Sequence, residues 1–285
     1  MKKYLILFTF LLLVSCQNFG QLKVIADLPK TLKEVSGIQV VPNSDLIWML
    51  NDSGNSPKIY GVSKKGKIQK EVLIQAKNKD WEDITTDSIG NIYIADFGNN
   101  MNDRKRLVIL KVNHQDLGSK NGEVERIQFS YPNQTKFPPK KKKRFFDAES
   151  LLYANGYLYI FTKSRVKKKY GKTTLYRVPA KAGKYIAELI SSFETCSDLH
   201  CWITAAAISP NGKKVVLLNH KSVFVFTNFK GDNFFSGDVK EFPLGYVSQK
   251  ESITFKDNNT LYIADEKAHG KGGKLYEFSL NKLKQ

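Results

Sequence analysis

A pair of short strands recurs along this chain, and that recurrence limits the fold more than any other feature. Each copy opens with a polar-led segment, turns, and continues into an apolar segment that closes on a polar or charged residue. The first runs Glu34-Val35-Ser36-Gly37-Ile38 and then Leu46-Ile47-Trp48-Met49-Leu50-Asn51-Asp52. The second has Trp81-Glu82-Asp83-Ile84 before Asn91-Ile92-Tyr93-Ile94-Ala95-Asp96. In the third, Asp147-Ala148-Glu149-Ser150-Leu151 precedes Tyr157-Leu158-Tyr159-Ile160-Phe161-Thr162-Lys163. The fourth and fifth are Thr204-Ala205-Ala206-Ala207-Ile208 with Val215-Val216-Leu217-Leu218-Asn219-His220, and Lys250-Glu251-Ser252-Ile253 with Thr260-Leu261-Tyr262-Ile263-Ala264-Asp265. Turns such as Asn155-Gly156 and Asn211-Gly212 supply the positive φ that tight hairpins need.

A third strand follows each pair, as in Lys58-Ile59-Tyr60-Gly61-Val62, and a fourth usually comes after, as in Arg126-Ile127-Gln128-Phe129-Ser130-Tyr131. Four short strands per unit, repeated every 45 to 67 residues or about that, predict an all-β fold, a single β-propeller of four-stranded blades. The count is five, with six as the alternative if the widest spacing hides a degenerate blade. The last unit has only three strands, and residues 21–28 form a strand without a unit. Pairing the two closes the ring and removes an exposed edge.

The first residues read as an export leader. Lys2 and Lys3 precede an apolar run from Tyr4 to Val14, too short to span a bilayer. Leu13-Val14-Ser15-Cys16 resembles the bacterial lipobox, so residues 1–15 are expected to be removed and Cys16 acylated. Residues 16–20 then form a short tether and residues 21–285 the propeller. Gln17 after the cysteine points to the outer membrane, facing the periplasm. With Cys16 set aside, Cys196 and Cys201 are left as a close pair, expected as a local disulfide in an oxidising compartment. No cysteine or histidine grouping has zinc spacing.

The formal charge is +18. Export turns that excess away from nucleic acid and towards anionic glycans or lipid headgroups. Two basic stretches, Pro138 to Arg144 and Arg165 to Lys169, read as solvated loops of the third unit that meet in one cationic patch. Trp81 and Trp202, at strand starts, are expected to wedge between blades. Nothing in the sequence calls for more than a monomer.

In a propeller the inner strand starts, and the second strand ends, on one face of the disc. Glu34, Glu82, Asp83, Asp147, Glu149 and Glu251 from inner strands would therefore ring the channel mouth, with Asp52, Asp96, Lys163, His220 and Asp265 from second strands. Such crowding is costly unless cations or hydrogen bonds offset it. Three readings stay open. The acids cap strand ends and pair with Lys163, Arg104 or Arg106. Or they bind a ligand or a hard cation, Ca²⁺ being the natural one, with Asp52 and Asp96 as candidate metal ligands. Or Glu82, Glu149, Glu251 and His220 include a general acid and base for hydrolysis of phosphoesters or glycosides. No nucleophile elbow with a serine is present.

Taken in order, Asn51-Asp52-Ser53-Gly54-Asn55, Asp80-Trp81-Glu82-Asp83-Ile84, Ala95-Asp96-Phe97-Gly98-Asn99-Asn100 and Asp147-Ala148-Glu149-Ser150-Leu151 resemble a widespread family of exported bacterial propellers. The resemblance covers roughly residues 34 to 266 and implies the propeller fold, but no reaction. Ala206 and Asn99 stand where acids are common in that family, which thins the carboxylate ring. The resulting expectation is an envelope lipoprotein that binds a glycan or another envelope component at its mouth. A propeller hydrolase, or a scaffold in an envelope complex, are the alternatives.

Overall fold

In the computed structural model, which describes residues 18–268 and 270–281, five antiparallel sheets stand around one axis. The expected leader and Cys16 lie outside the described residues. Strand β1 (Lys23–Asp27) comes first. The first blade holds β2 (Val35–Val40), β3 (Ile47–Asn51), β4 (Lys58–Val62) and β5 (Ile68–Ile74). The second holds β6 (Trp81–Thr86), β7 (Ile92–Asp96), β8 (Leu107–Val112) and, after the two-residue β9 (Asn121–Gly122), β10 (Val124–Ser130). Strands β11 (Asp147–Ala154), β12 (Tyr157–Lys163) and β13 (Lys172–Pro179) of the third are completed, beyond β14 (Gly183–Ile186), by β15 (Glu188–Glu194). The fourth blade is β16 (Ala205–Ile208), β17 (Val215–Leu218), β18 (Ser222–Thr227) and β19 (Asp238–Pro243). The fifth is β20 (Lys250–Asp257), β21 (Thr260–Asp265) and β22 (Lys274–Ser279).

The inner strands β2, β6, β11, β16 and β20 each touch the next, and β20 returns to β2, so the ring has five blades. Its closure is the expected one. β1 pairs antiparallel with β22, Lys23 opposite Glu277 and Asp27 opposite Lys274, which gives the last blade its fourth strand. Helix is confined to single 3₁₀ turns, and among the described residues no helix is long and apolar enough to cross a membrane. Two small strands were not anticipated. β9 pairs parallel with β5 of the blade before it, and β14 pairs parallel with β10 in the same way.

Apolar side chains gather in five clusters, one at each seam between neighbouring blades, rather than on the axis. Trp48, Leu50 and Ile59 of the first blade meet Trp81, Ile94 and Leu110 of the second. Trp81 is fully buried there, a wedge as expected. The seam between blades three and four is built from rings, with Phe193 edge-on to Phe226 at 5.0 Å. With the apolar groups withdrawn into the seams, the axis is left to polar side chains. Some of these stitch inner strands together. Ser36 Oγ donates to the Trp81 carbonyl at 2.9 Å, Leu151 N–H to Asp83 Oδ2 at 2.8 Å, and Thr204 Oγ1 to the Lys250 carbonyl at 2.6 Å. Cys196 and Cys201 form the expected disulfide, in the loop that joins β15 to β16.

Candidate functional site at the channel mouth

What points into the channel is decided by a defect repeated in the inner strands. The pairing register of β2, β6, β11 and β20 slips near the strand start: between Val35 and Gly37, Trp81 and Ile84, Ala148 and Ser150, and Lys250 and Ser252. An extra residue in one strand escapes the ladder and re-aims its side chain. The residues set free are Ser36, Glu82 with Asp83, Glu149 and Glu251. Ser36, Glu82, Glu149 and Glu251 line a cavity of about 280 Å³ at the mouth. β16 pairs without a slip and carries Ala206 at the equivalent place, where Thr204 takes over the lining.

Asp52, Lys163 and His220, at or just past the ends of second strands, complete the expected part of the wall. Arg165, Trp202, Gln249 and Glu266 line it as well, and none of these four was singled out from the sequence as a mouth residue. The other expected acids turn away. Asp83 accepts Leu151 N–H and Ile84 N–H inside the blade seam. Asp96 accepts from Arg104 Nη2 at 3.1 Å. Asp265 accepts the Tyr276 hydroxyl at 2.8 Å and Lys274 N–H at 3.0 Å, so the mouth is reached by Glu266, one residue later. Asp147 is fully buried and accepts Asn99 N–H at 2.7 Å. Glu34 accepts from Asn55 Nδ2 at 2.6 Å, outside the cavity.

Two cations face the cavity from the third blade, and both are engaged. Lys163 pairs with Glu149. Arg165 forks, Nε to Asp147 Oδ2 at 2.5 Å and Nη2 to Glu149 Oε1 at 3.1 Å. Arg165 is thus a wall residue and not a solvated loop charge. Its backbone N–H donates to the Arg144 carbonyl at 3.0 Å, so the two basic inserts do touch. Trp202, just before β16 of the fourth blade, reaches across to the third blade as a wedge would, and it borders the mouth as well. Its Nε1 donates to the Ser164 carbonyl at 2.6 Å, and its ring lies about 5 Å from both Lys163 Nζ and the Arg165 guanidinium. The neighbouring disulfide holds this loop at the rim. On the far side, His220 Nε2 approaches Glu251 Oε1 at 3.3 Å.

Burial opposes ionisation across the mouth, and only some of its acids have a cation to offset it. Burial, then Glu149 and Asp52, push the Glu82 carboxyl well above the ordinary carboxylate range. Burial, then Asp52 and Asp147, raise Asp80 to about 6, and burial with Glu251 and Asp52 raises Glu266 to about 8. Burial raises Glu149 against the pull of Lys163. Burial also opposes ionisation of Glu251, but Lys163 and His220 outweigh it and hold that carboxyl below its usual range. The sum is a mouth short of positive charge.

A pH dependence follows. Between its unfolded value near 4.5 and its folded value near 8, Glu266 keeps a proton in the native state that the unfolded chain has released, so native stability falls as pH rises through that window. Glu266→Gln is therefore expected to match the parent protein at pH 4 and to unfold at higher denaturant than the parent at pH 8. Denaturation midpoints at the two pH values check this, and an unchanged difference would refute it.

The mouth contains no arrangement of Asp52 with Asp96. Instead one oxygen each from Asp52, Asp80 and Glu82 lie within 4.8 Å of one another. Cys196, Asp198 and Cys201 also lie close together, but the disulfide withdraws both sulfurs. The opposite end of the channel opens into a larger hollow of about 640 Å³, lined by groups such as Val40, Pro42, Ala154, Ile208 and Phe255, and so offers more apolar surface than charge.

No family model matches the chain, and no curated protein matches it. Among solved structures, a gluconolactonase from Xanthomonas campestris superposes with a TM-score of 0.52 at 10% identity, covering 90% of this chain and 89% of that one. Virginiamycin B lyase from Staphylococcus aureus gives 0.44 at 16% identity over 89% of this chain and 68% of the other. The likeness to the gluconolactonase is one of fold, agrees with the propeller and assigns no residue a role.

Proposed function

We propose that this chain is an envelope lipoprotein whose propeller binds a small, hydroxyl-rich ligand at the mouth, a sugar or a sugar-bearing envelope component. The observation that carries the reading is the surplus of carboxylates in a closed-in cavity: Asp52, Glu82, Glu149, Glu251 and Glu266 against Lys163 and Arg165. Carboxyl groups accept when ionised, as Glu251 is held, and donate an O–H when protonated, as burial favours for Glu82 and Glu266, so together they suit a hydroxyl-rich ligand that both donates and accepts. Trp202 adds an aromatic wall at the rim, and about 280 Å³ leaves room for one ring rather than a chain. Acylation of Cys16 and delivery to the outer membrane rest on the leader and the lipobox-like run alone.

The test is calorimetry and a glycan panel with full-length protein. Binding is expected for at least one sugar or amino sugar, and is expected to be lost in Glu251→Gln. No ligand across the panel would overturn the reading. Failure of fatty-acid label to enter the protein through Cys16 would overturn the anchoring. A hydrolytic reading has one observation in its favour: Glu82, Glu149, Glu251 and His220, scattered in sequence, line the same cavity. Turnover of phosphoesters or glycosides that Glu149→Gln abolishes would replace binding with catalysis.

A further inference from the structure

We infer that Asp52, Asp80 and Glu82 bind a hard divalent cation, calcium by size, at the floor of the mouth. This deepens the proposed ligand binding and rests on that reading only for what the cation would hold. Calcium takes 6–8 oxygens at about 2.3–2.6 Å, so ligand atoms across the ion stand roughly 4.6–5.2 Å apart. The three carboxylates fall inside that upper limit, one oxygen of each lying within 4.8 Å of the others.

Charge crowding alone makes no site, and a second observation points to a missing partner. Glu82 is released from the β6 ladder by the register slip, is 7% exposed and faces the cavity. Among the described residues no side chain or backbone N–H donates to its carboxylate. The carboxylates it meets are like charges. A buried acid with no donor either keeps its proton or meets a cation, and a divalent ion shared with Asp52 and Asp80 would displace that proton. Lys163 and Arg165, which share the cavity, are held by Glu149 and Asp147.

The surroundings fix the other two ligands. Arg104 grips Asp96 and donates to the Gly98 carbonyl at 2.7 Å, while Gly98 N–H donates to the Asp80 carbonyl at 3.2 Å. Asp96 is therefore a positioning residue, one step removed from the ion. Ser53 N–H holds Asp52 Oδ1. Gly98 closes the floor: a Cβ there would stand 2.0 Å from Glu82 Oε1 and 2.3 Å from Asp80 Oδ2, so any larger residue would push the two carboxylates from these positions. With three protein ligands, about three to five positions of the ion stay open to water or to ligand hydroxyls on the cavity side.

The experiment uses full-length protein freed of metal by chelation, titrated with CaCl₂ alone and melted in 1 mM Ca²⁺ or in EDTA. One binding event and a melting temperature raised by about 5 °C in calcium are expected. Glu82→Gln keeps the shape and removes the carboxylate that the cation would bind. It is expected to lose the calcium heat, to melt no lower than the parent in EDTA, and to melt below it in calcium. A purely structural glutamate would not give that reversal of order. Gly98→Ala is expected to weaken calcium binding about tenfold or more. Should Glu82→Gln not fold, Asp80→Asn takes its place with the same expected loss.

No heat and no shift with Ca²⁺, Mg²⁺ or Mn²⁺ would overturn the inference, as would a calcium shift unaltered in Glu82→Gln or Asp80→Asn. The metal-only titration separates this from the ligand reading. Calcium binding without any sugar hit leaves the cation site standing and removes the proposed ligand. A sugar that binds equally in EDTA, with no calcium heat, does the reverse.

Discussion

A chain lacking residues 1–28 is expected to accumulate as insoluble protein, while a chain that begins at Asn18 stays soluble and melts cooperatively. The difference is β1. It supplies the fourth strand of the last blade, and Leu22 beside it is buried with Val223, Phe242 and Phe278 where blades four and five meet. Burying Leu22 and half-burying Val24 contributes about 2 to 4 kcal/mol, a sizeable part of the roughly 5–15 kcal/mol that holds a domain folded. Loss of β1 also bares the full edge of β22, a row of unpaired N–H and C=O groups next to Leu275, Tyr276 and Phe278, which is a template for pairing between molecules. Partition between supernatant and pellet, followed by gel filtration, reads the result. A soluble, monomeric protein without β1 would refute the closure as the source of stability.

The second large effect is expected at Arg165. Its guanidinium is the one group that touches both Asp147, fully buried, and Glu149. Arg165→Met would leave Asp147 with Asn99 N–H as its remaining partner and Glu149 with Lys163. Removing one side of a buried ion pair strands the other charge, and the expected loss is about 3–5 kcal/mol in unfolding free energy. Arg165→Lys is expected to recover only part of it, since an ammonium cannot fork to two carboxylates. Denaturant unfolding of the three proteins decides the matter. A loss below about 1 kcal/mol would mean that water, not Arg165, satisfies Asp147.

The blades were legible because each unit repeats the same chemistry. Asn155-Gly156 and Asn211-Gly212 adopt positive φ at glycine as hairpins require, and the strands between them alternate as pleated strands do. The column Ser36, Glu82, Glu149 and Glu251 was legible too, since these residues occupy one place in the aligned copies. What could not be read was which acids face the channel. In a regular strand, parity assigns each side chain to one face, and a single extra residue reverses it. The slip at Trp81–Ile84 sends Glu82 to the mouth and Asp83 into the seam, although they are neighbours. Asp80 and Glu266 lie one step outside their strands and so escaped a search of strand ends. Arg165 was hidden by the lysines that follow it. The signal that could have separated it is its type: arginine heading a run of lysines, two residues after a mouth lysine, suits a forked pairing that lysine cannot make.

The outer strands β9 and β14 make the five seams unequal. Each is a latch of main-chain hydrogen bonds thrown from one blade onto the rim of its predecessor, from the second to the first and from the third to the second. The chain's own start links the fourth and fifth blades through Gln21 N–H and the Leu244 carbonyl, and Lys267 N–H to the Lys33 carbonyl links the fifth to the first. Between the third and fourth blades, among the described residues, aromatic rings and the Arg177–Asp232 pair do that work without a main-chain latch. The disc therefore behaves as a split washer, with its gap at one known place. Under heat or load it should part first between Phe193 and Phe226, next to the rim where Trp202 stands, which would put the channel mouth beside the first joint to open.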